Sequence, residues 1–343
     1  MAEEPRESCS IQDLVYAYMP AQAVGVAARL GIADELAVHP KTATELAKLT
    51  ETHLPSLRRL LRALGCLGVI VETEDDTFAL APAGQQLRTD AQDSVRASVR
   101  LFTSDEVWRS WGQLEYTVRT GKIAWDHVVG MSVFEFMAKH PDQSGTFNDA
   151  MADRTRVVSP RIVSSYDFSR FDTVVDVGGG DGALISAILA ATTAVRGVLF
   201  DRPAGIADAA TTLRAAGALD RCEIVAGDFF VAVPDGADAY VLKTVLHNWD
   251  DEQCVAILRN CRDAMRDDGS VLVIERVLPH RSESLEDARA VFMDLNMMVN
   301  TRGRERTEAE FRSLYTAAGF RLTDAVATDQ DPGGYRVLVG RPV

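Results

Sequence analysis

Residues 174–182, Val-Val-Asp-Val-Gly-Gly-Gly-Asp-Gly, constrain this chain more than any other stretch. An apolar run closing on an acid and three consecutive glycines predicts a buried strand that enters a tight turn. Glycine at 178, 180 and 182 removes a Cβ where the backbone must turn sharply, approach a ligand closely and begin a helix, and Ala183 to Ala191 supplies that helix. Gly197-Val198-Leu199-Phe200-Asp201 reads as the next strand. Its terminal acid falls about 20 residues past the turn, where a carboxylate accepts from both hydroxyls of a ribose. Gly178, Gly180 and Asp201 therefore predict a site for an adenosine-bearing ligand, and leave open which one.

The 343 residues suffice for two domains, each with its own core. Hydrophobic residues make up 47% and charged residues 25%, an ordinary globular composition that needs no metal or crosslink to fold. Thirty-six basic against fifty acidic side chains leave a formal charge of -14, a field that repels nucleic acid and anionic membranes and favours a small-molecule partner. No apolar run approaches the ~20 residues that cross a bilayer. Cys9, Cys66, Cys222, Cys254 and Cys261 form no CxxC pair, and their odd number without a secretory leader predicts reduced thiols in a cytoplasm. The histidines are scattered without HxxxH spacing, so no metal centre is expected.

Three segments are expected along the chain: 1–93, 94–165 and 166–343. Residues 1–10 are polar, and from Ile11 to Leu36 apolar positions recur at helical spacing, punctuated by Pro20 and Gly31. Helices this apolar predict burial against a second subunit. Helices Thr44 to Leu49 and Leu54 to Leu67, then strands 69–71 and 77–80 around Glu72, Glu74, Asp75 and Asp76, make a winged-helix layout. Arg58, Arg59 and Arg62 raise a DNA-reading role, but phosphate contact dominates DNA affinity and the turn is acidic, which favours a dimerisation domain. Residues 94–165 are helical and aromatic; most of these rings are core, and Phe147 and Met151, one turn apart, are the candidates to wall an aromatic substrate.

After the glycine turn, strands and helices alternate. Arg221 to Ala226 is the third strand, followed by Asp228, able to accept from an adenine amino group, and Phe229, a face for the ring. Asp238 to Thr244 is the fourth, and Asp250 with Gln253 predicts a capping box for a helix to Met265. Ser270 to Ile274 is the fifth, ending on Glu275. A helix from Glu286 to Asn300 carries Phe292, Met293, Asp294, Met297 and Met298, Thr307 with Glu310 caps another to Ala318, and strands 321–327 and 335–339 close the sheet. The fold class is α/β, a Rossmann-like sheet behind an N-terminal helical winged-helix domain. Ligands in such sheets sit beyond the carboxyl ends of the strands, where Asp176, Asp201, Asp228, His247 and Glu275 are expected around one crevice.

Over nearly its whole length the chain resembles the class I S-adenosylmethionine-dependent O-methyltransferases of the caffeate and small-molecule type, including bacterial enzymes that decorate aromatic natural products. The likeness is carried by residues 174–182, 227–230, Leu246-His247-Asn248-Trp249-Asp250-Asp251-Glu252 and Gly303-Arg304-Glu305-Arg306-Thr307. It implies S-adenosylmethionine as cofactor, its methionine part near Gly178 and Gly180, its ribose on Asp201 and its adenine framed by Asp228, Phe229 and Trp249, with Lys243 alongside and Thr155 at the carboxylate end. It implies His247 as general base flanked by Glu275 and Glu305, no metal, and a homodimer. The acceptor it implies is a small hydroxylated aromatic lined by Phe147, Met151, Asn248, Met293, Met297 and Asn300. The alternatives are a relative of this fold that catalyses hydroxylation or pericyclic rearrangement, and a winged-helix regulator. A nicotinamide dehydrogenase shares the glycine turn but leaves the His247 and Glu305 motifs unexplained.

Overall fold

The structure is a computed structural model that describes residues 10–343 apart from Asp75, Gln92 and residues 282–284 and 329–333. The expectations for residues 1–9, including Cys9, and for Asp75 lie outside the described residues. Two compact units divide after Asp105.

In the first unit, helices Ile11–Tyr16, Tyr18–Leu30 and Ile32–Val38 precede strand β1 (Lys41–Thr42), helices Ala43–Leu49 and Leu54–Cys66, strands β2 (Ile70–Glu74) and β3 (Thr77–Leu80), and helix Arg96–Phe102. Thr42 and Glu45 form a full capping box that starts the fourth helix. The hairpin expected after Cys66 is present, and β3 is the central strand, antiparallel to both β1 and β2. β1 was not legible because two residues carry no alternation. Leu46, Leu57, Leu61, Leu64, Ile70 and Phe78 form the core. The division at 105 falls beyond the boundary expected at 93, since helix Arg96–Phe102 returns to the first unit and Arg96 Nε donates to Ala28 O at 3.1 Å. Arg58 is spent on a two-pronged pair with Asp76, at 2.8 and 2.6 Å. Ile11, Leu14, Val15, Tyr18 and Met19 are exposed, an apolar face on the first two helices that the described residues leave uncovered.

The second unit opens within helix Asp105–Trp111, followed by helices Leu114–Thr120, Ala124–Val129, Val133–Lys139 and Pro141–Ser165. Its sheet contains β4 (Thr173–Val177), β5 (Arg196–Asp201), β6 (Cys222–Ala226), β7 (Ala239–Lys243), β8 (Ser270–Leu278), β9 (Arg306–Thr307), β10 (Phe320–Ala327) and β11 (Tyr335–Pro342). The order is β10-β11-β8-β7-β4-β5-β6, with β9 on β8; β4 to β8 are parallel, β10 and β11 antiparallel. The chain runs outward from β4 through β5 to β6 and returns to the opposite side of β4 for β7, so the order reverses at β4 and β7 and a crevice opens at their carboxyl ends. Helices Asp251–Ala264 and Glu308–Ala317 cover one face, packing Ile257, Leu258, Phe311 and Tyr315 on Tyr240 and Leu242. Helix Ala183–Ala191 and the end of Pro141–Ser165 cover the other, with Ile162, Leu184 and Ile188 on Leu199 and Val241. Strands buried on both faces are why the sequence shows continuous apolar runs there.

Two expectations change. β8 runs on to Leu278, so Glu275 lies inside the strand opposite Arg336 rather than at its end; the polar pair Glu275-Arg276 had looked like a stop. Asp250 accepts from the Gln253 amide at 2.9 Å, but the return bond of a capping box is absent among the described residues. Thr307 and Glu310 make both halves of theirs.

Candidate active site

Backbone conformation builds the cradle first. Gly178, Gly180 and Gly182 have φ of +71°, +58° and +82°, which a side chain rarely tolerates. Gly178 N donates to Phe200 O at 2.7 Å and closes the turn onto β5. Gly180 N donates to Asp201 Oδ2 at 2.9 Å and Arg202 N to Oδ1 at 2.6 Å, so the carboxylate is fixed by two amides before any ligand arrives. Burial raises the Asp201 pKa in spite of these donors. A Cβ on Gly180 would meet nothing within 4 Å, so that position faces open space.

Asp176 sits beneath the turn, fully buried, its Oδ2 without a hydrogen bond; burial pushes its pKa up to about 7, with Lys243 opposing. Lys243 ends β7 and donates from Nζ to Thr155 Oγ1 at 3.0 Å, so those two residues meet. Burial, and then the neighbouring Arg154, bring the lysine down to about 8. The next residue, Thr244, has φ of +53°, the strained backbone expected where a strand end is bent to serve a site.

At the far side Asp228 is exposed, its Oδ1 accepting from Phe230 N at 2.9 Å. Phe229 and Trp249 are half-buried, with ring centroids 6.1 Å apart. Trp249 also stacks on Phe134 at 5.3 Å with an interplanar angle of 11°. Phe134 was not singled out because an aromatic in a helical stretch reads as core.

The third group centres on the 3₁₀ turn Leu246–Asn248. His247 Nδ1 lies 3.2 Å from Glu305 Oε1 and 3.6 Å from Glu275 Oε2, while His247 N donates to Glu275 Oε1 at 3.2 Å. Both carboxylates face Nδ1, and Nε2 has no hydrogen bond among the described residues. Burial works against the imidazolium, but Glu275 and Glu305 more than offset it, so the His247 pKa lies above the ordinary histidine value. The two acids diverge. Burial raises Glu275, whose Oε2 lacks a hydrogen bond; burial of Glu305 is outweighed by His247 and Arg276, which hold it low. Glu305 is therefore the ionised partner of the ring. The donor atoms of His247, Glu275 and Glu305 lie within 4.8 Å of one another, a set a cation could bridge, but Arg276 Nη1 stands 4.0 Å from Glu305 as competing positive charge.

The loop carrying Glu305 is locked to the histidine turn. A Cβ on Gly303 would come 1.8 Å from His247 O, so only glycine permits that approach. Arg306, which sequence reasoning quoted but gave no task, is 0% exposed; it donates to Leu246 O at 3.1 Å, Trp249 O at 2.8 Å and Asp251 Oδ1 at 2.8 Å.

The substrate candidates divide. Asn248 and Asn300 line one cavity of ≈490 Å³ together with Phe134, Trp249, Asp126 and Met131, and Phe147, Met151, Met293 and Met297 are not among its walls. Phe147 and Met151 are half-buried on helix Pro141–Ser165, Met293 touches the Arg154 guanidinium at 4.0 Å, and Met297 is buried. Trp111 Nε1 ties this methionine-bearing helix in place through Asn296 Oδ1 at 3.1 Å.

A mostly parallel sheet reversing at a glycine turn, with acids on the strands that follow and antiparallel β11 beside β8, fits a class I S-adenosylmethionine-dependent methyltransferase domain, and the family match shows it. The chain belongs to the O-methyltransferase family, matching its O-methyltransferase domain over residues 111–321 and the O-methyltransferase dimerisation domain over residues 12–90. It is 40% identical to the phenazine O-methyltransferase PhzM of Lysobacter antibioticus, over 99% of this chain and 97% of that one. It is 42% identical to the O-demethylpuromycin-O-methyltransferase of Streptomyces alboniger, over 91% of this chain and 84% of that one. The solved structure of the O-methyltransferase NcsB1 from neocarzinostatin biosynthesis, in complex with S-adenosylmethionine and 2-hydroxy-5-methyl naphthoic acid, aligns with a TM-score of 0.81 at 32% identity, covering 98% of this chain and 100% of that one. The protein is thus an S-adenosylmethionine-dependent O-methyltransferase with a domain for homodimerisation, and these relatives favour methyl transfer over the non-methylating alternative. No helix among the described residues is long and apolar enough to cross a membrane.

Proposed function

We propose that the enzyme methylates a hydroxyl of a small aromatic natural-product acceptor, with His247 as a metal-independent general base. The observation that carries this is the imidazole whose Nδ1 is bracketed by Glu305 and Glu275 while Nε2 is left for another partner. In support, PhzM is named for a phenazine, and NcsB1 was solved with a naphthoic acid. Bound S-adenosylmethionine supplies an electrophilic methyl carried on a sulfonium. Gly180 gives its methionine part room, Gly178 lets the same turn close against Val245, Asp201 accepts from the ribose, Asp228, Phe229 and Trp249 frame the adenine, and Lys243 and Thr155 lie toward the amino-acid end. Phe147, Met151, Asn248, Met293, Met297 and Asn300 shape the acceptor site.

A phenol near pKa ~10 facing a histidine near ~6.5 sets an uphill transfer of ~5 kcal/mol if the proton moves completely. The raised His247 pKa narrows that gap, and Glu305 holds the proton on Nδ1 and stabilises the charged ring. A positioned base contributes ~10²- to 10⁴-fold, whereas alignment of bound reactants is worth ~7 to 11 kcal/mol, so positioning is the larger share. The test is a panel of hydroxylated aromatics with methyl-labelled cofactor, read by mass: a gain of one labelled methyl is expected, and products of unchanged mass would end this reading.

Two further results are expected. Gly180→Ala should cost about 1–2 kcal/mol of stability from its positive φ, yet lose at least roughly tenfold in S-adenosylmethionine affinity by calorimetry, because the new Cβ enters the ligand's space. Leu14→Glu with Val15→Glu should convert the dimer to monomers in sedimentation, since these exposed side chains lie within the dimerisation domain. We place the enzyme in a reducing cytoplasm, consistent with free thiols at Cys66, Cys222, Cys254 and Cys261, and without a nucleic-acid partner, given its charge of -14 and the Arg58–Asp76 pair.

A further inference from the structure

Arg276 holds a charge that the chemistry above does not use. Its side chain is 6% exposed, its Nε has no hydrogen bond, and its nearest carboxylate oxygen is Glu305 Oε1 at 4.0 Å, which already serves His247 at 3.2 Å. A buried guanidinium held this loosely is costly unless something else pairs with it. It lies 4.3 Å over the Tyr335 ring, and Lys243 Nζ lies 5.6 Å from the same ring. Arg154 reaches the cluster from helix Pro141–Ser165, hydrogen-bonding Tyr335 and touching Met293 Sδ at 4.0 Å. Three cations converge on Tyr335, while Glu275 and Glu305 are turned toward the imidazole. Burial lowers the pKa of both Lys243 and Arg154, and a neighbouring guanidinium lowers each further, Arg154 acting on Lys243 and Arg276 on Arg154, while Tyr335 opposes the shift in Arg154.

We propose that Arg276 and Arg154 form an anion subsite for the acceptor, so that the enzyme takes a hydroxylated aromatic carboxylic acid, its carboxylate on these guanidiniums and its hydroxyl toward His247. This rests on the methyl-transfer reading above. Planar guanidiniums match a carboxylate with paired donors, and Tyr335 offers its face beside them. The cofactor's own carboxylate is the other source of this chemistry, but Lys243 with Thr155 stands on the cofactor side, whereas Arg154 touches Met293 and Arg276 approaches Glu305.

The test titrates the full-length protein, with S-adenosylhomocysteine present, against hydroxybenzoates, hydroxynaphthoates and their methyl esters. At least one acid should bind roughly 10- to 100-fold tighter than its ester. That preference should shrink to about threefold or less in Arg276→Gln and in Arg154→Gln, with partial recovery in Arg276→Lys, while S-adenosylhomocysteine affinity stays within about twofold. If Arg276→Gln does not fold, Arg154→Gln carries the comparison. Acids that bind no tighter than their esters, or not at all, would overturn the proposal. So would variants that lose S-adenosylhomocysteine and keep the acid preference, which would assign the cluster to the cofactor. Wild-type protein that binds no S-adenosylhomocysteine would sink the methyl-transfer reading instead, and acid binding measured without it would remain a separate result.

Discussion

His247→Ala is expected to lower kcat by about 10²- to 10⁴-fold while S-adenosylmethionine affinity changes by no more than about twofold. The ring meets the protein through Nδ1 and its own backbone amide, so truncation removes a proton acceptor without touching Gly180 or Asp201. Residual turnover should survive, because alignment of two bound reactants does not depend on the base. The pH profile adds a second reading. Only the neutral ring can accept a proton, so kcat/KM should fall as pH is lowered through the His247 pKa. Burial pulls that pKa down, and Glu275 and Glu305 carry it above the ordinary value, so the acidic limb should lie above ~6.5. Glu305→Gln removes the hydrogen-bonded charge and should move the limb to lower pH. Unchanged kcat in His247→Ala, or a limb indifferent to Glu305→Gln, would remove the histidine from the mechanism.

Arg306→Met should cost about 3 kcal/mol in denaturant unfolding, with kcat/KM falling alongside. The guanidinium is wholly enclosed and joins the carbonyls of Leu246 and Trp249 to Asp251, so it holds both ends of the turn that carries His247. Methionine fills comparable volume but leaves those carbonyls short of a donor in a dry setting. Asp251 itself is half-exposed and keeps Arg304 at 2.8 Å, so little of the loss comes from its charge. Arg304→Met, at an exposed ion pair, is the control and should cost less than about 0.5 kcal/mol. A loss below about 1 kcal/mol in Arg306→Met would show that the turn stands without this support.

Much of the fold could be read from the chain because its chemistry is local. The glycines at 178, 180 and 182 do adopt positive φ, and β4 and β7 are apolar runs because both faces of the sheet are covered there. Helix Ala183–Ala191 has the expected bounds. What failed was local evidence for burial. Glu275 and Arg276 interrupt an apolar run and so looked like the end of a strand, yet β11 pairs with both of them, β9 pairs with β8 beyond them, and both are buried. Arg154, Arg276 and Arg306 had no assigned role because a charged residue met in sequence is read as surface, and only tertiary packing shows otherwise. Residues 94–165 read as helical, but the breaks at Gly121 and Gly130, both in left-handed conformation, became visible only in the structure.

β8 places Glu275 and Arg276 on neighbouring positions of one continuous strand, the first against the imidazole and the second over Tyr335. Anyone retuning this enzyme for a new acceptor by editing position 276 would be working one peptide bond from one of the two acids that raise the basicity of the ring. Met151 and Phe147, the acceptor-wall candidates proposed above, are carried on a separate helix, so reshaping them leaves that strand untouched.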